Sequence, residues 1–226
     1  MQENLKQIYN KVEKAAIKSG RTVSDIKILA ATKTQDAKTV NRAIELGITC
    51  IGENRVQDFL SKYDDINKNI EIHFIGSLQK NKIRYIIDKV NLIESVNSYS
   101  LAYEINKYAA KIGKIMDILI EINISEEESK AGMMPSDVYD EILKISALKN
   151  VKIQGLMAII QKNSEITKKI EDFQKMYRFF VDIKAKKIDN VSMRYLSLGM
   201  SEDYELAIEN GANLIRLGTC IFGKRE

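Results

Sequence analysis

Cysteine is nearly absent: Cys50 and Cys220 are the only two in 226 residues. Both follow apolar, strand-like residues. Two thiols make no disulfide framework and fit a reduced, cytoplasmic setting. Proline is scarcer still, with Pro135 alone, and no Ser/Gly-rich linker divides the chain. One domain over residues 1–226 is expected, of a length that a single barrel reaches. A lone histidine, His73, excludes a histidine-rich metal site, and no His/Cys/Asp/Glu cluster has ligand spacing. No paired Cys/His nucleophile or Gly-x-Ser-x-Gly turn is present. No apolar run approaches the roughly 20 residues that span a bilayer. Gln2, Glu3 and Asn4 open the chain without a hydrophobic signal segment. An excess of one charge is also missing. Against 35 basic side chains stand 31 acidic ones, and a net +4 is too mild to call for nucleic acid. Lys184, Lys186 and Lys187 lack interleaved aromatics and read as a solvated helix face.

What the chain does contain is alternation. Leu5, Ile8, Val12 and Ala15 recur at helical spacing before any strand, and Gly20 offers a stop. Short apolar runs then predict strands at 28–33, 48–52, 71–77, 90–96, 116–124, 151–159, 193–198 and 212–217. Amphipathic stretches fall between them, the longest carrying Ile166, Ile170, Phe173, Tyr177 and Phe180. In the run 116–124 the isoleucines at 118, 120, 122 and 124 share one face, and Leu119, Glu121 and Asn123 share the other. A strand covered by helices on one side and polar on the other suits a barrel with a polar mouth. Eight such units predict a parallel α/β fold, a closed (β/α)8 barrel preceded by an extra N-terminal helix. An open doubly wound sheet is the second reading.

In such barrels the chemistry sits at the C-terminal strand ends, and Lys33 ends the first strand. Leu29, Ala31 and Lys33 share a face, and small Ala31 leaves room beneath the lysine stem. An amine at the edge of an apolar core is hard to keep charged. A Schiff-base lysine has that requirement, since it must be neutral to attack a carbonyl. The plain alternative is a lysine that only closes a strand.

The last two strand ends run into Leu198-Gly199-Met200-Ser201 and Arg216-Leu217-Gly218-Thr219. Ser201 alone reads as a helix cap and Gly218 alone as a turn. Together, on the two strands where barrels often hold a phosphate, they favour a bound phosphate. Arg216 either faces solvent or, inside the barrel, needs an anion or an acceptor to hold it. Asn54, at the second strand end, reads equally as a group beside Lys33 and as a helix cap. His73, inside a strand, reads as a hydrogen-bonded core residue.

Seven short motifs stand in one order. They are Ala-Thr-Lys33-Thr, Gly-Glu-Asn54-Arg, the run from His73 to Lys82, the run from Asn123 to Gly132, Gly155-Leu-Met-Ala, Leu198-Gly-Met-Ser201 and Arg216-Leu-Gly-Thr219. From about Ile28 to Gly223 the chain resembles the pyridoxal phosphate homeostasis protein family, small relatives of the alanine racemase barrel. The resemblance implies a fold-type III barrel carrying pyridoxal 5′-phosphate as a Schiff base on Lys33. It implies phosphate contacts from Ser201, Gly218 and Thr219, Arg216 facing the pyridine nitrogen, and Asn54 lining the pocket. Ser77 is assigned no role.

An arginine opposite the ring nitrogen keeps the pyridine unprotonated and the ring a poorer electron sink. Racemising relatives also bring a tyrosine base from a second, C-terminal β domain. This chain ends at Glu226, and no such domain is expected. The implied function is therefore a non-catalytic carrier that buffers or delivers pyridoxal phosphate, with PLP-dependent apoenzymes as recipients. It would be a cytoplasmic monomer with no nucleic-acid or membrane partner. The alternatives are a weak amino-acid racemase and, more remotely, a cofactor-free Schiff-base aldolase.

Overall fold

The computed structural model of the protein describes residues 1–127, 130–161 and 163–223. Eight parallel strands follow one another around a closed barrel in chain order. They are β1 (Lys27–Ala31), β2 (Cys50–Glu53), β3 (Glu71–Phe74), β4 (Leu92–Val96), β5 (Met116–Glu121), β6 (Val151–Met157), β7 (Val191–Ser197) and β8 (Leu214–Leu217). Closure occurs where Lys27, Ile28, Leu29 and Ala30 of β1 pair with Leu214, Ile215, Arg216 and Leu217 of β8. The ring leaves no open sheet edge, which sets aside the doubly wound alternative.

The helices are α1 (Gln2–Lys18), α2 (Ala37–Glu45), α3 (Val56–Tyr63), α4 (Tyr99–Lys111), α5 (Val138–Ser146), α6 (Ile166–Ala185), α7 (Tyr204–Glu209) and α8 (Thr219–Phe222). Among the described residues, none is long and apolar enough to cross a membrane. Their starts follow local chemistry. Asp36 accepts the Thr39 amide at 2.8 Å to cap α2, and Ser98 accepts the Leu101 amide to cap α4. Leu5, Ile8, Val12, Ala15 and Ala16 turn the buried face of α1 inward. Asn4 ties that helix to the Ile221 carbonyl at 3.0 Å, and Arg21 donates to the carbonyls of Ile208, in the last turn of α7, and Ala212, just after it. Between β3 and β4, where Ile83, Ile86 and Ile87 predict an α-helix, the chain forms a 3₁₀ segment, Lys80–Tyr85. Successive i→i+3 bonds bury all three isoleucines in this short connection.

The predicted division of β5 into two faces is realised. Ile118 and Ile120, with Ile122 and Ile124 just beyond the strand, pack under the helices. Leu119 points into the barrel, where it meets Leu29, Cys50, Leu92, Met157 and Leu214. That inner apolar layer plugs the barrel at mid-height, each leucine contributing roughly 1.5–3 kcal/mol by its burial. Polar groups lie above and below it. Gly155 has φ +149°, and a Cβ there would lie 1.8 Å from the Tyr195 carbonyl oxygen, so β6 can approach β7 only with glycine at this position.

Candidate functional site

One cavity of about 480 Å³ opens at the C-terminal mouth. Lys33, Asn54, Ser201, Arg216, Gly218 and Thr219 all line it. These residues come from four strand ends, and sequence spacing alone could not show that they converge. Glu121, Asp203, Ile75 and Ser77 complete much of the wall.

Lys33 does not sit as the sequence suggested. β1 ends at Ala31, and Lys33 lies two residues later in a turn, exposed rather than dry. Water reaches the amine because the mouth is open at that point. Among the described residues no hydrogen bond or ion pair engages it. The turn itself is tightly held. Thr34 adopts φ +68°, a left-handed conformation that a β-branched residue enters only when its surroundings impose it. Beneath it the Lys62 ammonium donates to the Thr32 carbonyl at 2.8 Å and the Gln35 carbonyl at 2.9 Å, and pairs with Glu53 at 2.8 Å. Thr32 donates its hydroxyl to the same carboxylate. Glu53 and Lys62 are both buried. One buried lysine thus fastens the turn that presents an exposed one.

Arg216 forms the floor. Its side chain is buried, and it is held by acceptors rather than by a direct anion. Nη1 donates to the Ser197 carbonyl at 2.8 Å and to Ser197 Oγ at 2.6 Å, while Nη2 donates to the Ala158 carbonyl at 2.9 Å. Burial lowers its pKa, and Glu94, Glu121 and Asp203 act against that loss. Glu121 is 5% exposed, and burial raises its pKa against the pull of Arg216. A carboxyl so placed holds its proton more tightly than one in water.

Ser201 is not a helix cap; Asp203 occupies that position for α7. The Ser201 hydroxyl instead accepts the Gly218 amide at 3.1 Å and the Cys220 amide at 3.3 Å, bridging the ends of β7 and β8. Asp203 turns its carboxylate to the Met200 amide at 2.8 Å. Asn54 lies on the cavity wall and does not cap α3, whose cap residue is Arg55. Gly76 allows this approach, since a Cβ there would lie 2.1 Å from the Asn54 carbonyl oxygen.

His73 is buried and hydrogen-bonded, as a core histidine should be, with Nδ1 2.7 Å from Glu94 and Nε2 3.3 Å from Glu71. Glu94, Ser197, Glu53 and Lys62 carry no site reading from the sequence, and Glu121 only its place on the polar face of β5. A glutamate within the apolar run Leu92-Ile93-Glu94-Ser95-Val96 was the available signal for one of them.

The set comprises an amine at the rim, a guanidinium at the floor, and a hydroxyl with adjacent backbone amides on a third side. It suits a planar ligand bearing an aldehyde, a ring acceptor and an anionic tail.

Residues 2–226 match the family model described as alanine racemase, N-terminal domain. A protein of Aquifex aeolicus named pyridoxal phosphate homeostasis protein is 37% identical over 99% of this chain and 98% of its own length. A crystal structure of an unknown protein from Bifidobacterium adolescentis superposes with a TM-score of 0.93 at 33% identity, covering 98% of this chain and 94% of that one. The Synechococcus elongatus protein PipY, in its structure with PLP bound, gives a TM-score of 0.81 at 28% identity, over 94% of this chain and 99% of that one.

Proposed function

This chain belongs to the pyridoxal phosphate homeostasis protein family, within the alanine racemase N-terminal domain fold, and from that premise we propose how its cavity serves pyridoxal 5′-phosphate (PLP). The protein holds PLP through a Schiff base on Lys33 and buffers or delivers it. The observation that supports this most is the convergence of Lys33, Asn54, Ser201, Arg216, Gly218 and Thr219 on one cavity.

When bound, PLP supplies an aldehyde that condenses with amines and a ring that withdraws electrons. Every other part falls to the chain. Lys33 offers an amine that solvent reaches, so the ligand can enter and leave from the mouth. Its turn is fixed by Lys62 and Glu53, which keeps the amine over the cavity. Ser201, with the amides around Gly218 and Thr219, receives the phosphate. Arg216, already donating to three acceptors, would face the ring nitrogen with a cation and offer no acceptor for a proton there. Asn54 would line the pocket that holds it.

The residues 1–226 act as a single PLP-binding domain and, in this reading, as a cytoplasmic monomer that passes cofactor to PLP-dependent apoenzymes. Free Cys50 and Cys220 support the reducing compartment. The carrier reading, without robust catalysis, draws on Arg216: a cation facing the ring nitrogen weakens the ring as an electron sink. No tyrosine, histidine or cysteine is among the described residues lining the cavity.

The test is an absorption spectrum of the purified protein before and after borohydride, followed by peptide mapping. Cofactor fixed to Lys33 is the expected result. Failure to take up PLP, or fixation on another lysine, overturns the assignment. Incubation with L-amino acids and chiral analysis addresses catalysis: sustained racemisation well above free PLP would replace the carrier with an enzyme.

A further inference from the structure

The apolar plug of the barrel is pierced by a single file of polar groups. It starts at the base, where the Lys27 ammonium lies 2.5 Å from a Glu71 carboxylate whose side chain is 45% exposed. Glu71 meets His73 Nε2 at 3.3 Å, and His73 Nδ1 meets Glu94 Oε1 at 2.7 Å. Glu94 Oε2 accepts the Ser197 hydroxyl at 2.6 Å, and Ser197 Oγ accepts Arg216 Nη1 at 2.6 Å. From His73 onward every member is buried. The file therefore begins in water at one end of the barrel and ends at the floor of the cavity at the other. Placing it in a core costs several kcal/mol per ion, and well-packed apolar residues would serve stability as well or better. A role beyond stability is the simpler account.

We propose that Glu94 is a positioning residue for the cofactor, which fixes the aim and charge of Arg216 through Ser197 and couples the PLP pocket to His73 and the base of the barrel. The inference rests on the reading of the cavity as a PLP site.

The electrostatics follow from one shared carboxylate. Glu94 stands between two cations, Arg216 and His73. Facing Arg216 are Glu94, Glu121 and Asp203; facing His73 are Cys50, Glu71 and Glu94; and Lys27 faces Glu71. Burial alone would lower the His73 pKa, but Cys50, Glu71 and Glu94 lift it well above the usual imidazole value. Burial likewise works to raise Glu94, yet His73, Arg216 and Ser197 bring it below the usual carboxylate value. The row sets one carboxylate between an imidazole and a guanidinium. Loss of the His73 proton would turn the whole charge of Glu94 toward Arg216 and weaken the positive field at the cavity floor. By reciprocity, a ligand that leans on Arg216 must alter His73.

His73 is the only histidine in the chain, so its ring resonances report it without ambiguity. The experiment compares wild type with Glu94→Gln, which keeps the size and the Ser197 hydrogen bond but removes the charge. Three quantities are read: the absorption maximum of bound PLP, the pH midpoint of that absorption, and the ring ¹⁵N shifts of His73. The proposal expects PLP loading to move the His73 shifts in wild type. It expects Glu94→Gln to move the absorption midpoint by about half a pH unit or more. His73→Gln should move it in turn, although His73 lies outside the cavity lining. Folded variants with wild-type spectra and midpoints would overturn the proposal. Should the variants fail to fold, the wild-type measurement decides, since His73 shifts untouched by loading overturn it equally. A wild type that takes up no PLP would defeat the reading of the site; one that takes it up without moving His73 would defeat only the coupling.

Discussion

The two ends of this barrel handle charge in opposite ways. At the base, Glu71 of β3 pairs both with His73 on its own strand and with Lys27 of β1, two strands away, and each charge is answered within the chain. At the mouth, Lys33 is exposed with no partner among the described residues, and Arg216 donates only to neutral acceptors, with Glu94, Glu121 and Asp203 nearby but none bonded to it directly. The base is closed on itself; the mouth is arranged toward something that is not protein.

Lys33→Ala should break the mouth without touching the base. Covalent PLP, read by borohydride fixation, should be lost entirely. The melting temperature should stay within about 1–2 °C, because an exposed residue without partners contributes little to stability. A large drop in melting temperature would show that the lysine is structural.

The opposite substitution is His73→Leu. It strands the buried Glu94 carboxylate on one side and should cost roughly 3–5 kcal/mol, lowering the melting temperature by on the order of 10 °C. Calorimetry checks it, and a wild-type transition would mean that the base is not held by its charges.

The pH dependence of stability sharpens the same contrast. His73 bonding holds the Glu71 pKa at about 2 despite the opposing effect of burial, with Lys27 assisting. Its contribution is therefore present above the ordinary value of 4.5 and is lost as pH falls through about 2. His73 is shifted the other way. Its contribution is fully present below 6.5 and is lost as pH rises through its elevated folded value. Denaturant midpoints should be highest between about pH 5 and 6.5 and decline on the alkaline side. His73→Gln should flatten that decline, and a decline that persists unchanged would assign it to other groups.

Ser201→Ala should have the smallest effect. It removes the acceptor for the Gly218 and Cys220 amides, worth roughly 1 kcal/mol. PLP release, followed by transfer to a scavenging apoenzyme, should quicken several-fold, while wild-type release would remove Ser201 from the phosphate site.

Much of this was legible in the residues. The eight strands, the N-terminal helix and the inward face of β5 follow from period-two and 3.6-residue spacing. So does the nomination of Arg216, because a charge inside a strand must find acceptors. What spacing could not show is partnership across the chain. Ser197 and Glu94 lie 103 residues apart and meet only because β4 and β7 face each other across the closed ring. The exposure of Lys33 departs from the strand-end expectation for a local reason. The strand ends at Ala31, the turn is completed by a left-handed threonine, and Lys62 arrives from α3 to hold it.

Arg216 takes its orientation from Ser197 and Ala158, two acceptors that belong to the scaffold itself. A receptor whose deepest contact is preset in this way spends little free energy on rearrangement when its cargo docks, and recovers little when the cargo departs. Such a molecule is suited to repeated loading and unloading, with affinity set at the rim instead of by induced closure.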